Sequence, residues 1–165
     1  MSDAAYRPSL EQVWSWLGQI PDPEIPVISV VDLGIVRDVA WSDDELVVSV
    51  TPTYSGCPAT SVISFDIEQH LRQRGIAHVS VRRQLSPAWT TAWISEKGRR
   101  KLRDYGIAPP MEGGACGAHA GSVAVACPRC GSAETECISQ FGSTPCKSQY
   151  RCRDCLEPFD YFKCI

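Results

Sequence analysis

The sequence predicts an α+β protein in two parts. A small two-layer α/β domain, with elements in the order α-β-β-α-β, is followed by a zinc-ribbon-like module with four cysteine ligands. Three observations support this prediction. In residues 1–108, segments with apolar residues at helical spacing alternate with segments that have strand spacing. A Pro-, Gly- and Ala-rich linker occupies 109–126, and two CxxC pairs lie within 127–165. A module as small as the last one cannot bury enough apolar surface alone, so a metal is its expected source of stability.

The first element is predicted to be a short amphipathic helix. Ser9 and Gln12 form a capping-box pattern, and apolar residues at helical spacing follow them. Pro21 and Pro23 end this helix, because proline lacks the amide hydrogen and clashes with the preceding turn. The segment 21–26 is therefore expected to be an extended acidic loop.

Strands and a second helix complete the first domain. Residues 35–41 and 46–50 are predicted to form two strands, which the turn residues 42–45 connect. A helix is predicted after Pro58, with one apolar face formed by Ala59, Ile63, Ile67 and Leu71 and with Gly75 as its stop. Residues 76–83 form the third strand.

The stretch 89–93 is aromatic and rich in threonine, and a basic helix is predicted at 95–105. Ser86-Pro87 suggests an exposed turn, so Trp89 and Trp93 are expected at a protein interface. The basic helix has three interpretations that the pattern leaves open: a solvated face, a surface for an acidic partner, or a contact to the phosphates of a CoA ester.

Composition excludes several classes of function. The net charge of −3 and the pI near 5.6 disfavour nucleic-acid binding, which depends on Lys and Arg. No apolar run of about 18 residues exists to span a membrane, and the N-terminus lacks the pattern of a secretory signal. A cytoplasmic location is therefore expected, with the nine cysteines reduced and available for metal or thiol chemistry.

Four cysteines have the spacing of a tetrahedral metal site. The pairs Cys127/Cys130 and Cys152/Cys155 are each CxxC, and 21 residues separate the pairs. Two thiolates from each turn would complete a closed shell of four sulfurs at about 2.3 Å from the metal. Zn²⁺ is the expected ion, although a tetrahedral sulfur set suits zinc or iron alike.

Cys57 is the candidate reactive thiol. Pro58 suits the first helical position, which would make Cys57 the N-cap of the second long helix. There the thiol would face unsatisfied amide protons that favour its thiolate form. Nearby hydroxyls, including Thr51 and Thr60, could hydrogen-bond a ligand or the sulfur. A small buried residue beside a turn is the alternative.

Asp22, Glu24 and Asp32 form a candidate acidic group. Three carboxylates on a Pro-stiffened loop could bind a cation, act as acid or base groups, or dock a basic partner. From spacing alone, a solvated loop in which Asp32 serves as a turn or cap residue is the favoured interpretation.

The remaining cysteines have weaker signals. Cys146 and Cys164 lie outside both CxxC pairs and are candidate additional thiols that line the metal module, accept sulfur or iron transiently, or pack. Cys116 and His119 have metal-ligand spacing but lie in the linker, where an idle segment is favoured. Cys137 has no expected role.

Three separated motifs resemble the MIP18/DUF59 family: 22–26 (DPEIP), 31–36 (VDLGIV) and 51–58 (TPTYSGCP). This resemblance covers roughly residues 10–85. It implies a role in iron–sulfur cluster assembly, with Cys57 at the position of the family's reactive cysteine and with a transient Fe or Fe–S cluster as cargo.

A second resemblance covers nearly the whole chain. The motifs 141–147 (FGSTPCK), 150–155 (YRCRDC) and 157–165 (EPFDYFKCI), with 89–93 and 106–110, are similar to the PaaD (PaaJ) family of bacterial phenylacetyl-CoA 1,2-epoxidase systems. The resemblance implies an accessory protein that matures a metal centre. Its implied partners are the epoxidase components: the iron–sulfur flavin reductase or the di-iron oxygenase.

The chain lacks the parts of a self-contained oxygenase. A di-iron carboxylate site uses Glu-x-x-His pairs, and none of the three histidines has Glu three residues earlier. No G-x-G-x-x-G loop for a flavin or nicotinamide cofactor occurs. The expectation is therefore a non-enzyme accessory protein, and the alternative is a structural subunit of the oxygenase complex.

Overall fold

The computed structural model describes residues 6–111 and 124–165. It divides into two compact units, Met1–Trp89 and Thr90–Ile165. The mixed α+β class is confirmed. No helix within the described ranges combines the length and apolar character that a membrane crossing requires.

The first unit contains two helices and a three-stranded sheet. The helices are α1 (Leu10–Leu17) and α2 (Ala59–Arg72), and the strands are β1 (Val36–Ser42), β2 (Glu45–Val50) and β3 (Val79–Arg83). The sheet order is β1-β2-β3, with β1 antiparallel and β3 parallel to the central strand β2. The predicted order α-β-β-α-β is confirmed.

Local sequence signals explain the helices of this unit. Ser9 caps α1, because its side-chain oxygen accepts a hydrogen bond from the amide of Gln12 at 3.2 Å. Helix α1 ends at Leu17, before the prolines that were expected to stop it. The predicted apolar face of α2 is buried, and Gly75 follows this helix with a φ of +91°. Leu46, Val48 and Val50 of β2 form the matching buried row of the core.

The second unit contains a helix and a four-stranded sheet. Its elements are α3 (Glu96–Tyr105), β4 (Ile107–Ala108), β5 (Thr135–Ser139), β6 (Lys147–Cys152) and β7 (Pro158–Phe162). The sheet order is β4-β7-β6-β5; β4 pairs parallel to β7, and the other pairs are antiparallel. Its buried cluster includes Val125, Cys127, Cys152 and Phe159.

Helix α3 precedes the ribbon in the chain and lies in the same compact unit, Thr90–Ile165. Helix α3 was placed in a domain ending at residue 108, with a linker at 109–126 and a ribbon at 127–165. In the structure α3 and β4 belong to the unit of the ribbon. The physical reason is a non-local pairing, since Ile107 and Ala108 lie opposite Asp160 and Tyr161 of β7.

Trp89 does not lie on an exposed turn, as the sequence suggested. Its side chain is only 3 % exposed, and its indole Nε1–H donates to the backbone carbonyl of Leu33 at 3.0 Å. Trp93 is half-buried. Trp89 is therefore a core residue of the first unit, because its single polar group is satisfied inside the fold.

Candidate functional site: an open thiol and a closed four-cysteine cluster

Cys57 lies near the end of an eight-residue loop, 51–58, that leads from β2 to α2. Its backbone amide donates to the carbonyl of Tyr54 at 3.2 Å. Its own carbonyl accepts hydrogen bonds from the amide and the hydroxyl of Thr60, at 3.2 and 2.9 Å. The side chain is half-buried and forms no disulfide. The loop therefore fixes the backbone of Cys57 and leaves the thiol partly accessible.

The predicted helix cap is shifted by one residue. Pro58 occupies the N-cap of α2, and no side chain caps this end of the helix. Cys57 thus precedes the N-cap instead of occupying it. A capping thiol would be hydrogen-bonded to the helix amides, whereas within the described residues the Cys57 side chain makes no capping bond to α2.

The acidic loop is more buried than its spacing suggested. Asp22 is 4 % and Asp32 9 % exposed, while Glu24 is half-buried. Oδ1 of Asp22 accepts the amides of Glu24 and Ile25 at 2.9 and 2.8 Å, so this carboxylate organises the turn around itself. The interpretation of a solvated loop is therefore wrong for Asp22 and Asp32.

Ser29, which the sequence did not single out, organises the turn at Asp32. Its hydroxyl accepts the amide of Asp32 at 3.0 Å, and its carbonyl accepts the amide of Leu33 at 2.9 Å. The backbone of Asp32 is therefore held in this turn by the hydrogen bond that the Ser29 hydroxyl accepts. Serine three residues before an aspartate is a common local pattern, so the signal was present but weak.

A backbone hydrogen bond brings the acidic segment and the thiol loop to the same end of the sheet. The amide of Thr51, the first residue of the 51–58 loop, donates to the carbonyl of Ile35 at 2.8 Å. Ile35 lies three residues after Asp32, just before β1. The carboxyl end of a strand followed by a helix is a frequent position for ligand sites in parallel α/β pairs.

Thr51 contributes an unusual polar atom at this end of the sheet. The residue is 1 % exposed, and its Oγ1 has no hydrogen-bond partner within the described residues. A buried hydroxyl without a partner costs about 1–3 kcal/mol. Thr51 is one of several hydroxyl residues near Cys57 in the sequence, and no local pattern distinguishes its hydroxyl as unsatisfied.

The second candidate site is the four-cysteine cluster of the second unit. One sulfur each from Cys127, Cys130, Cys152 and Cys155 lies within 4.8 Å of all the others. The Cys127–Cys155 and Cys130–Cys152 sulfur distances are 3.7 and 3.6 Å. Tetrahedral coordination with metal–sulfur bonds of about 2.3 Å requires sulfur separations of about 3.8 Å. Both of these separations are close to that value, so the cluster approaches the geometry of a tetrahedral ion.

Each CxxC pair forms a tight turn that aims two sulfurs at one point. In the first turn the amide of Gly131 donates to the carbonyl of Cys127 at 2.9 Å, and Gly131 has a φ of +77°. In the second turn the amide of Cys155 points at Sγ of Cys152, 3.5 Å away, and Leu156 has a φ of +61°. The left-handed conformation comes readily to Gly131 and is uncommon for Leu156.

The electrostatic environment of the cluster favours a bound cation. The backbone amide of Cys155 lowers the pKa of Cys152 to about 7, against the effect of desolvation. The amide of Ser132 favours the thiolate of Cys130, but desolvation and the three neighbouring thiols outweigh it and raise the pKa of Cys130 to about 12. Four adjacent thiolates repel one another, so a divalent cation is what allows them to ionise together.

Polar side chains join the two turns outside the sulfur shell. Arg129 of the first turn pairs with Glu157, just beyond the second, and the hydroxyl of Ser132 donates to the carboxylate of Asp154. Glu157 also raises the pKa of Arg129 through this bond. Such partners hold the ligand-bearing turns in register.

Among the described residues, Cys137, Cys146 and Cys164 lie outside the four-sulfur cluster. Cys146 is buried, with its sulfur 3.0 Å from Oγ1 of Thr144. Cys164 is disulfide-bonded, so the expectation of nine reduced cysteines is wrong for this residue, and its sulfur lies 3.7 Å from Oγ1 of Thr91. Cys137 is exposed on β5. Cys116 and His119 lie outside the described residues.

Comparisons with known proteins match two separate parts of the chain. Residues 10–81 match the family model of the iron-sulfur cluster assembly protein, and residues 113–163 match that of the PaaD zinc beta ribbon domain. The first unit is also similar to solved structures. A DUF59 domain of unknown function from Bacillus anthracis has a TM-score of 0.52 and 25 % identity, over 56 % of this chain and 89 % of that one.

A conserved hypothetical protein of Thermotoga maritima has a TM-score of 0.50 and 30 % identity, over 62 % of this chain and 98 % of that one. Fold and sites thus define a class: an iron–sulfur assembly-type domain joined to a cysteine ribbon.

Two curated relatives narrow the class. The chain is 51 % identical to a putative 1,2-phenylacetyl-CoA epoxidase component of Escherichia coli (strain K12), over 96 % of this chain and 94 % of the relative. It is 31 % identical to the "Fe-S protein maturation auxiliary factor" of Porphyromonas gingivalis, over 56 % of this chain and 89 % of that protein. The chain belongs to the PaaD family of the phenylacetyl-CoA epoxidase system.

Proposed function

We propose that this protein is a non-catalytic accessory factor that holds iron or an iron–sulfur cluster transiently at Cys57 and passes it to a component of the epoxidase. The observation that carries the proposal is the contrast between the two thiol sites. Cys57 offers one partly accessible sulfur that is not part of the four-cysteine cluster. In that cluster, by contrast, four sulfurs lie within 4.8 Å of one another. A cargo site must release what it binds, and an incomplete shell allows this.

The four-cysteine cluster has the structural role in this proposal. Zn²⁺ bound by Cys127, Cys130, Cys152 and Cys155 would close the ribbon and stabilise it. The sulfur separations of 3.6 and 3.7 Å support a resident ion, because they already match a tetrahedral shell. No cargo passes through this site.

Transfer from Cys57 is a ligand exchange. A thiolate of the client protein forms a bond to the iron, and the bond from iron to the Cys57 sulfur breaks. The incoming thiol loses one proton and the released Cys57 thiolate gains one, so neither electrons nor protons are consumed overall. The partial exposure of Cys57 supports this step, since the incoming sulfur needs an open side of the iron.

The neighbouring residues divide the supporting roles. Asp22 shapes the acidic turn through its bonds to the amides of Glu24 and Ile25. Asp32 and Glu24 supply negative charge for a cationic cargo at the same end of the sheet. Thr51 offers a buried hydroxyl that a bound sulfide, oxygen or water would satisfy.

The names of the two relatives support a role in iron–sulfur maturation within the epoxidase system. The P. gingivalis protein is named as a maturation factor for Fe–S proteins, and the E. coli protein as a subunit of the epoxidase. The resemblance to this system implies a reductase that carries a flavin and an iron–sulfur cluster. The reductase is therefore the proposed client, and the reaction takes place in the cytoplasm, where Cys57 stays reduced.

The experiment compares the epoxidase reductase from cells that produce wild-type protein, the Cys57→Ser variant, or no protein. Iron and sulfide per reductase and the visible absorption of its cluster are measured. The proposal expects depletion in both the deletion strain and the Cys57→Ser strain, with Cys137→Ser as an unaffected matched control. Full occupancy in all strains would exclude the reductase as the client.

A structural subunit is the second candidate, and the name of the E. coli relative favours it. A scaffold would co-purify with the oxygenase in fixed stoichiometry. The Cys57→Ser variant would then support the full epoxidase activity, although the deletion would not. The same three strains therefore separate the two candidates.

A further inference from the structure

Helix α3 has a charge opposite to that of the protein as a whole. Residues 96–105 contain five basic and two acidic side chains, a local net charge of +3, whereas the chain carries −3. The helix is well anchored: Leu102 is 0 % exposed, and Ser95 caps its first turn by accepting the amide of Gly98 at 2.9 Å. It is therefore a fixed element from which cations project.

One of the five cations supports the fold. Arg99 donates to the backbone carbonyls of Pro110 and Thr91, at 2.6 and 2.9 Å. These two hydrogen bonds fix the segments on both sides of α3. Both terminal nitrogens of Arg99 are therefore used within the fold.

Three other cations form a row along the helix. Lys97, Arg100 and Arg103 are exposed and follow one another at a spacing of three residues, which places them on one face over about 9 Å. In residues 6–111 and 124–165 none of the three takes part in an ion pair. The acidic residues of the helix, Glu96 and Asp104, are likewise not paired with them.

Cations elsewhere in the described part of the chain are mostly engaged. Some pair with carboxylates and others lie over aromatic rings: Arg72 with Glu68, Arg129 with Glu157, Arg151 and Arg153 with Glu136, Lys147 with Asp160, Arg7 on Trp41, Arg74 on Trp16 and Lys163 on Phe141. The row on α3 thus places three exposed cations without an ion pair on one helix face of an acidic protein. A surface that concentrates unpaired charge of one sign attracts a partner of the opposite sign.

We infer that the row Lys97, Arg100 and Arg103 docks an acidic surface of a protein partner among the other epoxidase components. The row is extended and convex, which suits a protein surface and gives a small anion no enclosed pocket. The inference goes beyond the proposed function, because it concerns association and does not require transfer of iron. A scaffold would use the same row.

The test measures binding of the full-length protein to each of the other purified epoxidase subunits at low and high salt. Lys97→Glu/Arg100→Glu is compared with Arg82→Glu/Arg83→Glu, two exposed cations of β3 that give the same change in net charge. We expect wild-type affinity to fall with salt, the α3 variant to bind about tenfold more weakly, and the β3 variant to bind as wild type. Circular dichroism and metal content show that each variant is folded.

Several results would overturn the inference. Equal losses in the two variants would show a general effect of net charge, and no loss in either would show that α3 is a solvated face. Displacement by free coenzyme A, α3-dependent binding to duplex DNA, or α3-dependent self-association would each identify a different occupant. Cys57→Ser is included because it must bind normally, so a failure of iron transfer is not mistaken for a failure of docking.

Discussion

Oγ1 of Thr60 donates a hydrogen bond to the carbonyl oxygen of Cys57 at 2.9 Å, whereas Oγ1 of Thr51, which is also buried, has no partner within the described residues. Thr51 begins the β2–α2 connection, and Thr60 lies in the first turn of α2. One hydroxyl is used by the fold and the other is not. The pair therefore contrasts a hydroxyl that holds the loop with a buried hydroxyl that is unsatisfied within the described residues.

Replacement of these threonines by valine should have opposite effects on stability. Thr60→Val removes a satisfied buried bond and should lower the free energy of unfolding by about 1–2 kcal/mol. Thr51→Val removes an unsatisfied hydroxyl and should leave stability unchanged or higher, while weakening iron or cluster binding at Cys57. Urea denaturation and iron titration measure the two effects. Destabilisation by Thr51→Val would mean that its hydroxyl has a partner in the fold.

Loss of one cluster ligand should unfold the ribbon. Cys127→Ser should abolish metal binding and lower the free energy of unfolding of the second unit by about 3 kcal/mol or more. The reason is that only the folded module has the complete site, so the free energy of metal binding contributes directly to its stability. Metal analysis and thermal unfolding followed by circular dichroism are the measurements. Cys137→Ser, on β5 of the same unit, is the control that should retain the metal. A chelator should reproduce the Cys127→Ser result in the wild-type protein.

The stability of the first unit should decrease in mild acid because of His70. Burial, and then the nearby Arg74 cation, lower the pKa of His70, while a hydrogen bond to the Trp16 backbone opposes them. The unfolded chain therefore binds a proton at a higher pH than the folded one, and stability falls as the pH drops below about 6.5. Denaturation at several pH values measures this dependence. His70→Gln should flatten it, and an unchanged slope would contradict the assignment.

The ion pair between Lys147 and Asp160 should matter more than its length suggests. Nζ lies 3.6 Å from Oδ2, and the lysine side chain is 6 % exposed. Asp160→Asn leaves a buried cation without its partner and should cost about 1–2 kcal/mol, a value reduced because Asp160 is partly exposed. The double variant Lys147→Met/Asp160→Asn should recover most of this loss. Glu68→Gln, which breaks the exposed pair with Arg72, should cost less than about 0.5 kcal/mol.

Signals within one element explain what the sequence predicted correctly. The apolar spacing of α2, the cap at Ser9 and the two CxxC turns depend on residues that are close in the chain. The prediction of the four-cysteine site also rests on one long-range assumption, namely that the two CxxC turns lie next to each other in the fold. The antiparallel pairing of Cys152 on β6 with Thr135 on β5 provides the support for that meeting.

Interactions between distant residues explain what the sequence did not predict. Two residues of β4 are too few to give a strand pattern, and only their pairing with β7 assigns α3 to the second unit. Trp89 was interpreted from its neighbours as exposed, but its partner Leu33 is 56 residues away. The unsatisfied hydroxyl of Thr51 depends on everything packed around it, which no local pattern reports.

The two CxxC turns have a consequence for the unfolded chain. An ion held by Cys127 and Cys155 acts as a reversible cross-link that closes a loop of 29 residues (127 to 155). By analogy with disulfides, the lost chain entropy of the unfolded state amounts to about 3–4 kcal/mol. This contribution depends on loop length, whereas the rest of the stabilisation depends on how tightly the four sulfurs bind the particular ion.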